Sequence, residues 1–130
     1  MIRHACKDDC FQLAALSIKV WLDTYAVEGI KREYAQYALT TFTESYFSSL
    51  LDSPDYNLLV IEKDQVIQGY ALLNMTSHYQ SASSGFELEK LYIDTRFKSQ
   101  GLGKQLLNAV EHEFGKAYWL YTWVENESNE

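Results

Sequence analysis

Hydrophobic positions in the first fifty residues recur at helical spacing. After a short strand near Ile2 to Ala5, Asp8 or Asp9 can cap a helix. Its apolar face would contain Phe11, Ala14, Ala15, Ile18, Trp21, Leu22 and Tyr25. A second helical region starts near Ile30, and the spacing of Thr41 and Glu44 matches a capping box for a further short helix. The pattern therefore predicts one strand followed by helices.

The pattern then changes to β-rich runs. Tyr56 to Ile61 and Val66 to Met75 are joined by the polar residues 62–65, which predicts a hairpin. Gly69 lies inside the second run. A glycine at such a position indicates a bulge or a close approach of another backbone segment.

The last part of the chain alternates strand, helix and strand. Phe86 to Asp94 is β-rich, Gly101 to Phe114 has helical period, and Ala117 to Val124 is β-rich again. Such a unit forms a right-handed parallel crossover. The predicted fold class is α/β (α+β), with one domain over residues 1–130. Its mixed sheet would have antiparallel strands first, then a parallel β-α-β unit, with helices on both faces.

Composition and charge narrow the function classes. The chain has 130 residues, 47% of them hydrophobic, and a net charge of −7. Its lysines and arginines form no basic stripe, so a nucleic-acid partner is not expected. No apolar run reaches the roughly 20 residues that span a membrane, and no secretory leader is visible, so we expect a cytoplasmic protein. The cysteines and histidines lack ligand spacing, and no metal site is expected.

The passage from Leu91 to Lys104 is the sharpest chemical signal. A strand feeds a turn, Lys98-Ser99-Gln100-Gly101-Leu102-Gly103, and the turn feeds a helix. Glycines permit close backbone approach, and the free N–H groups and dipole at a helix start favour anions. Lys98 and Lys104 add positive charge. A tight turn that only serves packing has the same glycine pattern, so the motif alone leaves a phosphate site and a packing turn open.

The same passage resembles the central motif of the GCN5-related N-acetyltransferase (GNAT) superfamily. That motif reads Gln/Arg-x-x-Gly-x-Gly/Ala after a strand often written Leu-Tyr-Val, and here Leu91-Tyr92-Ile93 precedes Lys98-x-x-Gly101-x-Gly103. Lys98 stands where the family usually has Gln or Arg. A lysine keeps the positive charge of Arg but lacks its planar guanidinium group. Val66 to Ala71 is similar to the family's Val-x-Gly-Tyr/Phe strand. The N-terminal helices are similar to those of its small-molecule and polyamine branch.

The resemblance implies acetyl-CoA as cofactor and assigns the site residues. Main-chain groups of Leu91, Tyr92 and Ile93 would pair with the pantetheine arm. The diphosphate would lie on Lys98, Ser99, Gln100, Gly101, Leu102 and Gly103, with the amide of Lys104. Glu87 matches the glutamate base of the histone-acetylating members and ranks first as base, and Glu89 ranks second. By period two both share one face, although a solvent-facing strand glutamate is the plain alternative.

The family continues with an Asn-x-x-Ala turn, a helix with an acid tyrosine, and further strands. Asn129, or less favourably Asn126, would be that asparagine, and the sequence ends at Glu130. We therefore expect a member short of the C-terminal helix and last strands, with no match for the general acid. The fifth strand would leave an apolar edge that a second copy of the chain could cover as a homodimer.

Taken with the resemblance, the sequence predicts an enzyme. It would transfer acetyl from acetyl-CoA directly to a primary amine of a small molecule, with polyamine-like amines among the candidates. The alternative is a non-catalytic acyl-CoA-binding or regulatory module, or a C-terminally truncated and impaired acetyltransferase.

Overall fold

The computed structural model of the chain describes residues 1–76 and 85–120, with the backbone alone at 119 and 120. The strands are β1 (Ile2–His4), β2 (Tyr56–Lys63), β3 (Val66–Asn74), β4 (Phe86–Ile93) and β5 (Tyr118–Leu120). The helices are α1 (Cys10–Tyr25), α2 (Arg32–Thr41), α3 (Glu44–Asp52) and α4 (Leu102–Phe114), with short 3-10 turns at Lys7–Asp9 and Thr95–Phe97. None of the helices in these ranges is long and apolar enough to cross a membrane.

The strands form one sheet in the order β1-β2-β3-β4-β5. Neighbours from β1 to β4 are antiparallel. β5 pairs with β4 in parallel, from Phe86 opposite Tyr118 to Leu88 opposite Leu120, and α4 connects the two strands. Residues 121–124 of the expected last strand, and the edge that a second copy would cover, lie outside the described residues.

The sheet carries a hydrophobic core on each face, because successive strand residues point to opposite sides. Leu58 and Val60 of β2 pack with α1, α2 and α3. Leu59 and Ile61, the residues that alternate with them, pack with α4. Helices on both faces, as expected from the sequence, follow from this arrangement.

The apolar face predicted for α1 is right only in part. Ala14 is buried and Ile18, Trp21 and Leu22 pack against the core, as predicted. Phe11, however, is 77% exposed, and the buried Leu13, Leu16 and Val20 were not predicted. Apolar residues occupy so many positions of this helix that two overlapping stripes fit the period. Ser17 lies in the true stripe, where its hydroxyl donates to the Leu13 carbonyl at 2.7 Å and bonds the Tyr70 hydroxyl at 2.6 Å. A polar residue whose hydrogen bonds are made inside the protein can be buried, and the hydrophobic pattern alone then fails to identify the buried face.

One helix start differs from the prediction, and another agrees with it in position. Thr43, and not Thr41, caps α3: its Oγ1 accepts from the Tyr46 amide at 3.0 Å. Asp9 is the N-cap residue of α1, as predicted, but its buried carboxylate makes no capping bond to this helix. It accepts instead from the Arg3 guanidinium at 2.8 and 2.9 Å and from the Cys6 amide at 2.8 Å. The Arg3 hydrogen bonds hold the pKa of Asp9 below its usual range although burial alone would raise it.

The β2–β3 hairpin and its glycine agree with the sequence. Asp64 and Gln65 form the turn with φ of 52° and 69°, the left-handed pair that suits a tight hairpin. The register shifts between Ile61 and Glu62, opposite the segment that contains Gly69. A Cβ at Gly69 would lie 2.7 Å from the Tyr92 carbonyl oxygen, so the glycine permits β3 to lie close against β4.

Candidate functional site

The connection between β4 and α4 is built from unusual backbone conformations. Ser99 and Gly101 have φ of 65° and 75°, and Gly101 is the N-cap of α4. A Cβ at Gly101 would meet no atom within 4 Å, so the space in front of this residue is open. We call residues 98–104 the glycine turn. Left-handed residues of this kind curve successive N–H groups toward one side and form an anion-binding concavity.

The first turn of α4 supplies further donors. The first intrahelical bond runs from the Gln105 amide to the Gly101 carbonyl at 3.0 Å, so the amides of Leu102, Gly103 and Lys104 have no intrahelical acceptor. Leu102 is buried against the sheet and anchors the helix start. Lys98 and Lys104 are exposed beside these amides. The donors, the helix dipole and the two cations together fit a diphosphate group.

An ion pair from α1 holds the segment before the glycine turn. Lys19 Nζ lies 2.7 Å from Asp94 Oδ1 and 2.8 Å from Thr95 Oγ1. The Asp94 carboxylate also accepts from the Arg96 amide at 3.0 Å and caps the 3-10 turn. Burial alone would raise the pKa of Asp94, but the hydrogen bond from Lys19 and that from the Arg96 amide outweigh it and lower the pKa. Sequence reasoning could not find Lys19, because its partners lie more than seventy residues away.

The C-terminal half of β4 leads through the 3-10 turn to the glycine turn. Leu91, Tyr92 and Ile93 pair with β3 on one side of the strand. On the other side β5 pairs only with Phe86–Leu88 in the described ranges. Main-chain groups along 91–93 are therefore without a strand partner on that side within residues 1–76 and 85–120. This is the arrangement that lets an extended ligand pair with a sheet edge.

A β-bulge in β4 changes which side chains share a face. Leu72 pairs with Lys90 and its neighbour Leu73 pairs with Leu88, so Glu89 is the extra residue. The bulge brings two consecutive side chains to one side, with Glu89 Oε1 3.8 Å from Lys90 Nζ. Strict alternation would have put Lys90 on the opposite face. Lys90 is a site residue that sequence reasoning missed.

Glu89 and Lys90 line a cavity between α1, α2 and β4, which we call the aromatic recess. Its volume is about 170 Å³. The remaining lining residues are Trp21, Tyr25, Tyr37, Phe42 and Tyr92. Trp21 packs against Tyr25 and Tyr37 with ring centroids 4.9 and 4.8 Å apart, which fixes the rings on one wall.

The Glu89 carboxylate has only long contacts in the described part of the chain. Asn74 Nδ2 lies 3.5 Å from Oε2, and Lys90 Nζ is 3.8 Å from Oε1. The Glu89 and Lys90 side chains are 25% and 22% exposed. Glu87 is not among the lining residues. It pairs across the strand with Asn74, and its charge adds to burial and to Glu89 in raising the pKa of Tyr56, so both glutamates act on the same sheet face.

Tyr92 is the least exposed of the polar residues that line the recess. Tyr92 is 8% exposed, and within the described residues its hydroxyl has no hydrogen-bond partner. Burial, followed by the neighbouring Tyr25 and Tyr37, raises its pKa above the ordinary value. The phenol therefore stays neutral and can both donate to and accept from a ligand. The recess combines such hydroxyls with one carboxylate and one ammonium.

The residues expected to bind cofactor form one continuous strip along the end of β4, the glycine turn and the start of α4. Glu89 lies at the recess, beside the bulge of the same strand. Asn129 lies outside the described residues.

Known proteins resemble the chain in sequence. Residues 17–130 match the Acetyltransferase (GNAT) family. A protein described as an uncharacterized N-acetyltransferase in the pepI 3' region of Lactobacillus delbrueckii subsp. lactis is 25% identical over 133 residues, which cover 98% of this chain and 77% of that protein.

Solved structures have the same fold. The PaiA N-acetyltransferase of Thermoplasma acidophilum, in complex with coenzyme A, matches with a TM-score of 0.77 at 19% identity over 94% of this chain and 78% of that one. The aminoglycoside acetyltransferase meta-AAC0020 from an uncultured soil metagenomic sample, in complex with sisomicin, matches with a TM-score of 0.63 at 15% identity over 94% and 76%. The chain belongs to the GNAT acetyltransferase family, and it is an N-acetyltransferase that uses acetyl-CoA.

Proposed function

We propose that this acetyltransferase acts on the primary amine of a small molecule that binds in the aromatic recess. The observation that carries the proposal is the position of Glu89. Its carboxylate lines the recess, and it belongs to the strand whose end leads into the glycine turn. An acceptor held at Glu89 and a donor held along residues 91–104 would therefore meet on one strand.

Each part of the donor would have its own residues. The amides of Leu102, Gly103 and Lys104, the space before Gly101, and the charges of Lys98 and Lys104 suit the diphosphate. Ser99 and Gln100 complete the turn around it. The main chain of 91–93 suits the pantetheine arm. Acetyl-CoA supplies an acetyl group activated as a thioester.

The recess has to provide an uncharged amine, because an alkylammonium with a pKa of about 10 is protonated at neutral pH. In our proposal Glu89 takes the proton from the ammonium, directly or through water, and releases it at the mouth of the recess. An N–C bond forms, the C–S bond breaks, and the second amine proton ends on the thiol. Glu87, which the family resemblance favours, stays a prediction for the same task.

Several classes of amine are candidate acceptors. One similar structure carries the aminoglycoside sisomicin, so amino sugars join polyamines, amino acids and their esters, and peptide N-termini as candidates. The recess has a volume of about 170 Å³, so only a small head group enters it fully. A larger acceptor would project its remainder to solvent.

The test is thiol release from acetyl-CoA with this amine panel, in the wild type and in Glu89→Gln and Glu87→Gln. We expect amine-dependent release, a loss on the order of 100-fold in kcat/KM for Glu89→Gln, and less than about threefold for Glu87→Gln. Both substitutions keep size and remove one charge, so each controls for the other. If CoA binds and no amine accelerates release, the proposed acceptor class fails. If Glu87→Gln has the larger loss, the base is Glu87.

A further inference from the structure

The wall of the recess that β4 contributes carries two opposite charges side by side. The bulge aligns Glu89 and Lys90, and both side chains are about three-quarters buried. Charges in such a setting are screened less than surface charges and act strongly on a ligand. A ligand of one sign would be attracted by one group and repelled by the other.

Within the described residues, neither charged group has its hydrogen-bonding capacity filled by the protein. Lys90 donates no hydrogen bond within the described residues: its Nζ lies 3.8 Å from Glu89 Oε1 and 6.0 Å from the centre of the Tyr46 ring. An ammonium carries three donors, so its hydrogen-bonding capacity is available. The Glu89 carboxylate likewise has partners only at 3.5 Å and beyond. Asn74 itself is fixed, because its Oδ1 accepts from the amide and hydroxyl of Thr76.

The polar atoms around the pair suit either charge of a ligand. The hydroxyls of Tyr37 and Tyr92 have no hydrogen-bond partner among the described residues, and both residues line the recess. A neutral phenol accepts from an ammonium and donates to a carboxylate. Tyr92 keeps its proton because its pKa is raised, so it remains a donor at any physiological pH.

We propose that the acceptor is a zwitterion with the head group of an α-amino acid, an inference that rests on the proposed function. Its ammonium binds Glu89 and its carboxylate binds Lys90 and the Tyr92 hydroxyl. The head group consists only of the amino nitrogen, the α-carbon and the carboxylate, and it is small enough for a cavity of about 170 Å³. The product is the N-acetylated amino acid, formed with the bond changes and proton transfers given above, and the carboxylate is unchanged.

Other amines fit this wall less well. A polyamine would place a second positive charge near Lys90, where like charges repel. A simple alkylamine would form an ion pair with Glu89, but it has no carboxylate to pair with Lys90. The recess is therefore expected to discriminate by the carboxylate of the acceptor, because a buried charged group that loses its partner is costly.

The experiment compares acceptors that differ only at the carboxyl position: norvaline, norvaline amide and n-butylamine. In the wild type we expect norvaline to have the highest kcat/KM, by at least about tenfold, since it alone offers a charged partner to Lys90. Lys90→Met should remove this preference through a higher KM for norvaline, and it should leave kcat/KM unchanged or higher for norvaline amide and n-butylamine, which have no carboxylate. Because the ratio of norvaline to each analogue is compared between the wild type and Lys90→Met, the intrinsic reactivities of the amines cancel.

Lys116→Met is the control variant, since Lys116 is exposed beyond the end of α4 and should preserve the norvaline preference. Calorimetric titration with CoA verifies that Lys90→Met is folded, because the affinity should equal that of the wild type. A wild-type preference for butylamine or a polyamine, or equal loss for all three acceptors in Lys90→Met, would overturn the zwitterion assignment and leave the proposed function intact. Absence of release with every amine would remove the proposed function instead.

Discussion

The aromatic recess is lined by residues of β4, and the glycine turn follows the end of the same strand, but the two are built in opposite ways. The glycine turn is local and made of backbone: its groups are amides, two left-handed residues and a helix start. The recess is made of side chains from α1, α2 and β4, which the fold brings together over more than sixty residues of sequence. A backbone site binds what every donor molecule shares. A side-chain site can be changed one residue at a time and sets the choice of acceptor.

The two regions should therefore respond differently to substitution. The glycine turn tolerates changes of side chain where only an amide is used, but it is sensitive to an added Cβ. The recess keeps its shape through the Trp21 ring stack, and its selectivity depends on charges and hydroxyls. Substitutions can separate binding of the donor from selection of the acceptor.

The largest expected effect is on the glycine turn. Gly101→Val places a branched side chain at φ of 75° and fills the open space in front of the turn. The loss of two charge-assisted hydrogen bonds, at roughly 1.5 kcal/mol each, predicts a CoA affinity lower on the order of 100-fold. Calorimetric titration measures it.

Gly115→Val is the matched control. Gly115 also has positive φ, at 96°, also has no atom within 4 Å of an added Cβ, and follows the other end of α4. Its strain should lower stability to a similar extent and leave the CoA affinity within about twofold of the wild type. Equal loss of affinity in both variants would mean that helix stability, and not access to the turn, governs donor binding.

The difference between a local backbone site and a site built from distant segments also explains what could be predicted from the sequence. The glycine turn was predictable, because strand, turn and helix are consecutive and Gly101 has to adopt its conformation whatever surrounds it. The sheet and its helices on both faces were predictable from the changes of period. The bulge at Glu89 could not be predicted, because an extra residue in β4 is defined only by how β4 pairs with β3. Lys90 could not be assigned to the recess without it.

The N-terminal helices show a second limit. The apolar stripe of α1 was predicted only in part, because the buried Ser17 pairs with Tyr70, a contact 53 residues away, and makes a buried position look polar. Local periodicity predicts that a helix exists more reliably than it predicts which face packs.

The next effect concerns stability in alkali and comes from the recess side of the sheet. Burial raises the pKa of Tyr46 to about 12, with a further contribution from Glu89, and it raises the pKa of Tyr92 and Tyr70 as well. The unfolded chain releases these protons near pH 10, before the folded one. Stability is therefore complete below pH 10 and falls as the pH rises through the folded values.

Urea unfolding at pH 9 and at pH 11.5 measures this loss, which we expect to be roughly 2 kcal/mol for each tyrosine that keeps its proton in the folded protein at pH 11.5. Tyr92→Phe removes one of the shifted groups and should flatten the dependence on pH while lowering the acceptor affinity and not the CoA affinity. A slope equal to that of the wild type would show that the Tyr92 phenol titrates in the folded protein as it does in the unfolded chain, and would contradict its enclosure.

The smallest expected effect tests whether the two regions are coupled. Lys19 of α1 holds Asp94 and Thr95, which precede the glycine turn, while Asp23 of the same helix accepts from the Thr95 hydroxyl at 3.0 Å. Lys19→Met should loosen the 3-10 turn and raise the KM for acetyl-CoA about threefold, the effect of one partly exposed ion pair. The KM for the acceptor and kcat should stay unchanged, because Lys19 does not line the recess. Lys63→Met at the exposed end of β2 is the control. If Lys19→Met changes the KM of the acceptor as well, α1 transmits strain from one region to the other, and the two sites do not act separately.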